Sequence, residues 1–323
     1  MIISKSVDVP TGQILVVQGA HGPLECLSIG DYGKDINIKA DFLGLEREPS
    51  PVRHTKLLPL EEKWVVTISS QYGCRANCKF CDVPMVSGGG KNATFEDMMG
   101  QIATCINLHP EVEYTKRLNV HFARMGEPTF NPNVIGVGAM LSSLSYEYNF
   151  FTHPVVSTMM PRHNPDLRDF ISDWVFVKNI IHGGDAGLQL SINSTDEDER
   201  ESQFNGQALT LEEIAKVMEG FKPAGRKFTL NFAIADWTID PEILLKYFDP
   251  DDYIIKLTPM HKTKAATDNN IITDGDYTEY HPYKDIEKSL TGAGYDVLVF
   301  IASKEEDESR ITCGNAILAL GDE

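Results

Sequence analysis

Residues 64–81 read WVVTISSQYGCRANCKFC, an apolar strand-like run followed at once by three cysteines, Cys74, Cys78 and Cys81. The whole chain has six cysteines. Three of them within eight positions do not resemble the even disulfide framework of a small secreted domain. In a reducing compartment such a cluster is typical of metal binding or catalysis. The stretch therefore predicts a strand that leads directly into a cysteine-bearing loop.

The sequence on the carboxyl side of this stretch alternates between strand-like and helix-like patterns about six times. A helix beginning with Thr94 as its N-cap is followed by the apolar runs RLNVHF, HPVVSTMM, LQLSIN, KFTLNFAIA, YIIKLTPM and DVLVFIAS, with helical patterns between them. This alternation predicts an α/β fold with a parallel sheet and crossover helices. Sites in such folds lie at the carboxyl ends of the strands. We therefore expect the loops after the strands to share one site.

The residues before this stretch show a different pattern. Residues 1–60 contain short alternating runs, GQILVVQG, LECLSIGDYG and INIKADF, punctuated by Gly and Pro. They predict a small β-rich N-terminal accessory segment before a core of residues 61–323.

Composition limits the classes of protein. With 323 residues, 42% of them apolar, the chain can bury a large core. It has no apolar run of the roughly 20 residues needed to cross a bilayer, and no signal-peptide pattern, so we expect a cytoplasmic protein without a membrane partner.

Charge argues against a nucleic-acid partner. The formal net charge is −18, and a surface of that sign repels phosphate at long range. The basic residues form only short groups, which we expect to be ordinary solvated surface: Arg53-His54-Lys56, Lys222 with Arg226-Lys227, and His261-Lys262-Lys264.

The three clustered cysteines leave two metal chemistries open. A structural zinc site needs four ligands, usually from two C-x2-C pairs, and here Cys26, Cys105 or a histidine would have to complete it. An iron–sulfur cluster held by three thiolates instead leaves one iron open to a ligand.

The spacing C-x3-C-x2-C, with an aromatic residue directly before the third cysteine, resembles the signature of the radical S-adenosylmethionine (SAM) enzymes. The resemblance implies a partial (βα)6 barrel in which Cys74, Cys78 and Cys81 hold a [4Fe–4S] cluster. It also implies that SAM chelates the open iron and that Phe80 lies near its adenine. Cleavage of SAM to a 5′-deoxyadenosyl radical would need an electron donor such as flavodoxin or ferredoxin.

A second motif, FARMGEP at residues 122–128, follows the strand-like run RLNVHF. Gly126 allows close backbone approach to a ligand, and Glu127 can accept a hydrogen bond from an ammonium group. In the radical SAM enzymes a stretch of this kind receives the amino group of SAM, and the resemblance gives Gly126 and Glu127 that role.

The order of the motifs resembles the RlmN/Cfr branch, whose members methylate adenine in RNA with two SAM molecules. These motifs are SSQYGCRANCKFC, ARMGEPTFNPNVI, VVSTMMP, LQLSINS and ITCGNAI. The resemblance implies that Ser157, Ser191 and Asn193 contact SAM from later strands. It places His261 near the ribose, where the family has an asparagine.

Cys313, in ITCGNAI, carries the most specific implication of the resemblance. In that branch the corresponding cysteine is methylated first, and its methyl group is then activated for addition to the base. The residue type alone leaves a second interpretation open, a small buried apolar side chain.

Two features of this sequence differ from the RlmN/Cfr branch. Thr67 stands where those enzymes have a cysteine that releases the covalent intermediate, and the residues before the core carry no basic bias. We therefore expect RlmN/Cfr-like methyl transfer through Cys313 to a nucleotide, RNA or other acceptor. The alternatives are hydrogen abstraction from a small molecule, nucleoside or peptide with Cys313 as a relay, and a structural zinc-binding module.

Overall fold

The computed structural model describes residues 1–31, 57–271, 281–302 and 304–321. Its strands form a ten-stranded sheet and a separate two-stranded ribbon. The strand expected around residues 36–42 and the basic group at residues 53–56 lie outside the described residues. Within the described ranges, no helix is both long and apolar enough to cross a bilayer.

The first three strands form an antiparallel meander: β1 (Ile2–Val9), β2 (Gly12–Gly19) and β3 (Gly22–Ile29). This confirms the antiparallel strands expected from the alternating runs in the described part of the N-terminal segment. Strand β3 then pairs antiparallel with β4 (Trp64–Ile68), with Leu27 opposite Thr67. The meander is thus continuous with the main sheet, and the division into segments 1–60 and 61–323 remains a prediction.

Strand β4 begins the parallel part of the sheet. After it come the short ribbon of β5 (Gln71–Tyr72) and β6 (Lys91–Asn92), then α1 (Phe95–Asn107). Thr94 caps α1 as expected: its Oγ1 accepts from the Asp97 amide, and the Asp97 carboxylate accepts from the Thr94 amide, both at 3.0 Å. The buried face of α1 includes Cys105.

Six further parallel strands follow, separated by helices. They and the intervening helices are, in chain order, β7 (Thr115–Phe122), α2 (Asn133–Glu147), β8 (Phe150–Thr158), α3 (Leu167–Phe176), β9 (Gly187–Ser191), α4 (Glu197–Gln203), α5 (Leu211–Met218), β10 (Phe228–Ile234), α6 (Pro241–Leu245), β11 (Tyr253–Pro259), α7 (Lys264–Asp268), α8 (His281–Gly292) and β12 (Asp296–Val299).

A short helix α9 (Lys304–Glu308) leads into the C-terminal loop. The sheet order is β1-β2-β3-β4-β7-β8-β9-β10-β11-β12. The α/β class with a parallel sheet is therefore confirmed, and its seven described parallel strands, β4 and β7 to β12, correspond to the seven strand-like runs of the sequence from residue 64 onward. Their closure into a partial (βα)6 barrel remains a prediction.

The two faces of the parallel sheet differ in polarity. In β7, Leu118, Val120 and Phe122 are fully buried in the main core. The alternate residues Arg117, Asn119 and His121 line a cavity on the other face. Side chains alternate between faces along a strand, so one face packs on the helices while the opposite face is polar.

Candidate functional site

The three clustered cysteines lie in the loop that follows β4, at the carboxyl edge of the parallel sheet. All three are partly exposed and none is in a disulfide. Gly73 turns the chain into this loop with φ of +70°, and a Cβ there would lie 2.7 Å from the Val86 carbonyl oxygen. The Ala76 amide donates a hydrogen bond to Cys74 Sγ at 3.4 Å. Sulfur hydrogen bonds of this kind are a feature of iron–sulfur sites.

The electrostatics of the loop favour neutral thiols as long as no cation is bound. Burial raises the pKa of Cys74 to about 11, and the negative charges of Glu127 and Cys313 add to the effect. Burial also raises the pKa of Cys78 and Cys81 well above the usual range, and neighbouring thiolates raise both further. A bound metal reverses this logic, because it brings its own positive charge. The three thiols therefore fit a cationic metal group as ligands.

The described residues contain no three His, Cys, Asp or Glu side chains arranged to hold a single metal ion. The three loop cysteines lie within electrostatic range of one another but are not gathered around one point. Their assignment as cluster ligands remains a prediction.

Glu127 follows β7 and lies buried beside this loop. Its Oε1 accepts from the Thr129 amide and hydroxyl at 3.1 and 2.8 Å, and its Oε2 accepts from the Met159 amide at 3.0 Å. Burial raises its pKa, and the hydrogen bonds from Met159 and Thr129 oppose that shift. The Thr158 side chain also hydrogen-bonds to this carboxylate, so donors of the protein already take about all four of its acceptor positions.

Gly126 has a steric role that its sequence context did not show. Its φ is +98°, and a Cβ at this position would lie 2.6 Å from Cβ of Gln71. Gln71 Oε1 also accepts from the Glu127 amide at 3.0 Å. Gly126 therefore allows its loop to approach β5, and contact with a ligand remains a prediction for this residue.

Phe80 packs beside the cysteine loop. Its ring meets Phe204 edge-on, with centroids 5.5 Å apart. Its carbonyl accepts from the Thr263 hydroxyl at 2.8 Å. The ring is partly buried beside Cys74 and Cys78.

The C-terminal loop brings Cys313 to the same place. The Gly314 carbonyl accepts from the Asp82 amide at 2.9 Å, and a Cβ added at Gly314 would lie 3.6 Å from Cα of Cys81. Cys313 is exposed, and its Sγ lies 3.9 Å from the Ala123 carbonyl oxygen. The thiol is thus open to solvent beside both signature loops.

Two cations act on Cys313, Arg124 from the loop after β7 and Lys256 from β11. Desolvation by the surrounding chain raises the pKa of its thiol, whereas the positive charges of Arg124 and Lys256 lower it. Solvent reaches this thiol, and neighbouring atoms also desolvate it. The thiol therefore lies in a concave part of the surface. This is the environment that a nucleophilic or relay thiol needs, because it combines access with nearby positive charge.

Asp82, directly after the third cysteine, was not predicted as a site residue. It is buried, and its carboxylate accepts from the Ala265 amide at 2.8 Å and from Arg310 at 2.7 Å. It therefore joins the cysteine loop to α7 and to the C-terminal loop. Its position next to Cys81 was the only sequence signal for this role.

The residues expected to contact SAM from later strands do reach the same edge of the sheet. Ser157 lies near the end of β8 and Ser191 at the end of β9, both partly exposed. Asn193 is buried with φ of +61°, and its side-chain oxygen accepts from the Ala233 amide at 3.0 Å. That oxygen already supports the backbone of β10. Contact of the three residues with SAM remains a prediction.

His261 follows β11 and is held by the C-terminal loop. Its Nδ1 lies 3.1 Å from Oδ1 of Asp307. Burial opposes ionisation of Asp307, but His261, Thr312 and the Lys262 amide together lower its pKa to about 2. The carboxylate therefore fixes the imidazole, while a role near a ribose remains a prediction.

Fold and site together define a mixed α/β protein in which two cysteine-bearing loops, distant in sequence, meet at the carboxyl edge of a parallel sheet. The chain is a distant homologue of the RlmN-type dual-specificity RNA methyltransferases, which confirms the relationship that its motifs indicate.

Three curated relatives give the extent of the similarity. A probable dual-specificity RNA methyltransferase RlmN of Chlorobium phaeobacteroides is 24% identical over 215 residues, 63% of this chain and 55% of that protein. RlmN of Campylobacter lari is 30% identical over 122 residues, 34% of this chain and 33% of that protein. A probable RlmN of Chlorobaculum tepidum is 26% identical over 190 residues, 57% of this chain and 47% of that protein. The matches thus span about a third to just over half of the length of these relatives.

No family model matches the chain. Among solved structures, Streptococcus suis SuiB bound to its precursor peptide SuiA aligns with a TM-score of 0.48 and 11% identity, covering 73% of this chain and 47% of that one.

Proposed function

We propose that the chain is a radical SAM enzyme in which Cys74, Cys78 and Cys81 hold a [4Fe–4S] cluster and Cys313 passes a methyl group to the substrate. The observation that carries the proposal is the meeting of the two cysteine loops. The Asp82 amide donates to the Gly314 carbonyl at 2.9 Å, and the negative charge of Cys313 raises the pKa of all three clustered thiols.

Bound to the open iron, SAM supplies on one-electron reduction the 5′-deoxyadenosyl radical that starts the reaction. The chain supplies the ligands and their placement. Glu127 lies beside the cysteine loop, where its carboxylate is suited to the ammonium group of SAM in exchange for one of its present donors. Phe80 packs its ring against Phe204 beside the same loop. The cavity lined from six neighbouring strands supports a partial barrel.

Cys313 must lose its proton before it can accept a methyl group, because the thiolate is the nucleophile. Arg124 and Lys256 favour that charge. The proton can leave to solvent, because the residue is exposed. The two cations thus partly offset the desolvation that raises the pKa of this thiol.

A cavity of about 580 Å³ on the polar face of the sheet favours a second candidate function. This candidate is hydrogen abstraction from a small molecule. A cavity of that size suits a small ligand. In this candidate Cys313 would act as a relay rather than as a methyl carrier.

The test is anaerobic reconstitution of the full chain with iron and sulfide, followed by reduction with SAM present. We expect about four iron and four sulfide per chain and formation of 5′-deoxyadenosine. Cys74→Ala, Cys78→Ala and Cys81→Ala should each lose both. Cys105→Ala is the matched control, because Cys105 is buried in the core with its sulfur 3.7 Å from that of Cys26. Stoichiometric zinc without iron would contradict the proposal.

A further inference from the structure

The cavity of about 580 Å³ lies on the polar face of the parallel sheet and is lined mainly by alternate residues of β7 to β12. Parallel sheets are normally apolar on both faces. Here several lining side chains are cationic: Lys63, Arg117, Arg226, Lys227 and Lys256. In a chain of net charge −18, such a concentration of positive charge needs an explanation.

Two of these cations are paired with carboxylates. Lys63 pairs with Asp31, and Lys227 pairs with Asp296 at 2.8 Å. Their charges are therefore compensated within the protein itself.

The other three cations have no carboxylate partner at ion-pair distance among the described residues. Arg117 Nε donates to the Asn119 side-chain oxygen at 3.1 Å, and an Arg226 guanidinium nitrogen lies 3.4 Å from the Asp185 carbonyl oxygen. Lys256 Nζ lies 5.4 Å from the centroid of the Phe300 ring. These contacts are to neutral groups. Asp185 also lines the cavity and lies within electrostatic range of both arginines, so it offsets their charges in part.

The titration of nearby groups agrees with an excess of positive charge. Burial lowers the pKa of His121 to about 3, and the charges of Lys256, Arg226, Lys63 and Arg117 all lower it further. Burial also lowers the pKa of Lys256 to about 8, with Arg226 contributing. Cations that repel one another in a cavity are arranged for an anion that is not part of the chain.

The other residues that line the cavity indicate what kind of anion would fit it. Val155, Ile254, Leu298 and Phe300 add an apolar wall. A phosphate group accepts bidentate hydrogen bonds from arginine, and a cavity of this volume accommodates a small organic molecule. The combination suits a molecule that carries both a phosphate and an apolar or aromatic part.

We propose that this cavity is a binding site for a small phosphorylated organic molecule, with Arg117, Arg226 and Lys256 bound to its phosphate. Arg226 belongs to a basic group expected to be ordinary solvated surface, and the structure corrects that expectation because Arg226 lines the cavity and is partly buried.

The position of the cavity relates the ligand to Cys313. Lys256 lines the cavity, and its charge also lowers the pKa of Cys313. A ligand held by Arg117 and Arg226 would have to extend past Lys256 to reach the thiol. This second step, that the ligand is the substrate, rests on the proposed function; the binding itself does not.

Ligand binding is tested by calorimetric titration of the full chain without iron. Because no cluster is needed in this experiment, a failure to bind is distinguished from a failure of the radical chemistry. The probes are inorganic phosphate, adenosine 5′-monophosphate and adenosine. We expect the nucleotide to bind at least tenfold more tightly than adenosine, because a charge-assisted hydrogen bond contributes about one power of ten in affinity. Inorganic phosphate should compete with it.

The variants Arg117→Gln, Arg226→Gln and Lys256→Gln should each weaken nucleotide binding about tenfold. Arg162→Gln and Lys222→Gln are the matched controls, because both cations pair with carboxylates outside the cavity. Neither control should change the affinity.

Thermal unfolding without ligand checks that the variants fold. Removal of one of three mutually repelling charges should leave the midpoint of Arg226→Gln unchanged or raised.

The proposal is overturned if sodium chloride at equal ionic strength reproduces the effect of phosphate, or if the control variants lose affinity as the cavity variants do. It is also overturned if a 5′-phosphorylated oligoribonucleotide binds and the mononucleotide does not, since the ligand would then be a polynucleotide.

Discussion

Nε of Arg124 donates to Oε1 of Glu25 at 2.6 Å in the interior of the protein. Glu25 belongs to β3 of the N-terminal meander, and Arg124 belongs to the loop after β7 that carries Glu127. The pair also holds the loop of Cys313. Arg124 donates to the carbonyls of Thr312 and Asn315 at 3.3 and 3.1 Å. Glu25 accepts from the amides of Ile317 and Leu318 at 3.2 and 3.0 Å.

Loss of one partner should therefore be costly. We expect Glu25→Gln to lower the free energy of unfolding by about 3–5 kcal/mol, because it leaves the Arg124 charge buried without its counterion. Urea denaturation measures the change. The double variant Glu25→Met/Arg124→Met should be less destabilised than the single one. Glu62→Gln removes an exposed ion pair with Lys116 and should leave the midpoint unchanged. If Glu25→Gln and Glu62→Gln lowered the free energy of unfolding equally, burial of the ion pair would not explain the loss.

Stability should fall in acid partly through Asp307. The pKa of this carboxyl is lowered from 3.8 to about 2 in the folded protein, so its ionised form stabilises the fold above the unfolded pKa. The contribution is about 2 kcal/mol near neutral pH, about half of it is lost by pH 3, and the rest disappears as the pH falls through 2. Asp307→Asn should remove this dependence in urea unfolding curves recorded from pH 7 to pH 3. Asp268→Asn, at an exposed pair with Lys264, serves as the control and should retain it.

Cys313→Ala should separate cluster binding from turnover. The variant should retain the iron of the wild-type protein and lose formation of the final product, because Cys313 is proposed to act on the substrate rather than on the metal. Mass spectrometry of wild-type protein produced with SAM should show one added methyl group on Cys313. Loss of iron in the variant would instead identify Cys313 as a fourth ligand and would contradict an open coordination position.

Gly126→Ala should destabilise the loop that carries Glu127. A Cβ there would lie 2.6 Å from Cβ of Gln71, at φ of +98°. We expect a loss of about 2 kcal/mol or more in the free energy of unfolding. Gly89→Ala is a matched control, since Gly89 also has a positive φ, +59°, but an added Cβ would meet no atom within 4 Å. It should cost only about 1 kcal/mol. Similar losses in both variants would show that backbone strain, and not the contact with Gln71, decides the effect.

The sequence predicted those features that depend on short stretches of chain. The capping box at Thr94 and Asp97 was readable because both partners lie within one helical turn. The alternation of strands and helices was readable for the same reason, and each strand-like run from residue 64 onward forms a parallel strand of the described sheet. The cysteine spacing in residues 74–81 indicated this loop as a candidate metal site and pointed to the RlmN-type enzymes, of which the chain is a distant homologue.

The sequence did not predict the pairs that hold the site together. Glu25 accepts from the Leu318 amide across 293 positions of sequence. Arg226 was expected on the surface and instead lines the cavity. Contacts of this kind depend on which strands become neighbours and which face each side chain takes, and a local pattern does not contain that information.

The amino-acid sequence by itself thus determined the α/β class and the cysteine loop, because strand periodicity, helix caps and ligand spacing are local properties of the chain. Only the tertiary structure decided that Cys313 lies beside that loop and that three cations, for which the described residues provide no ion-pair partner, share one cavity. The physical reason is that both arrangements arise from the order of the strands in the sheet, which brings together residues from distant parts of the sequence.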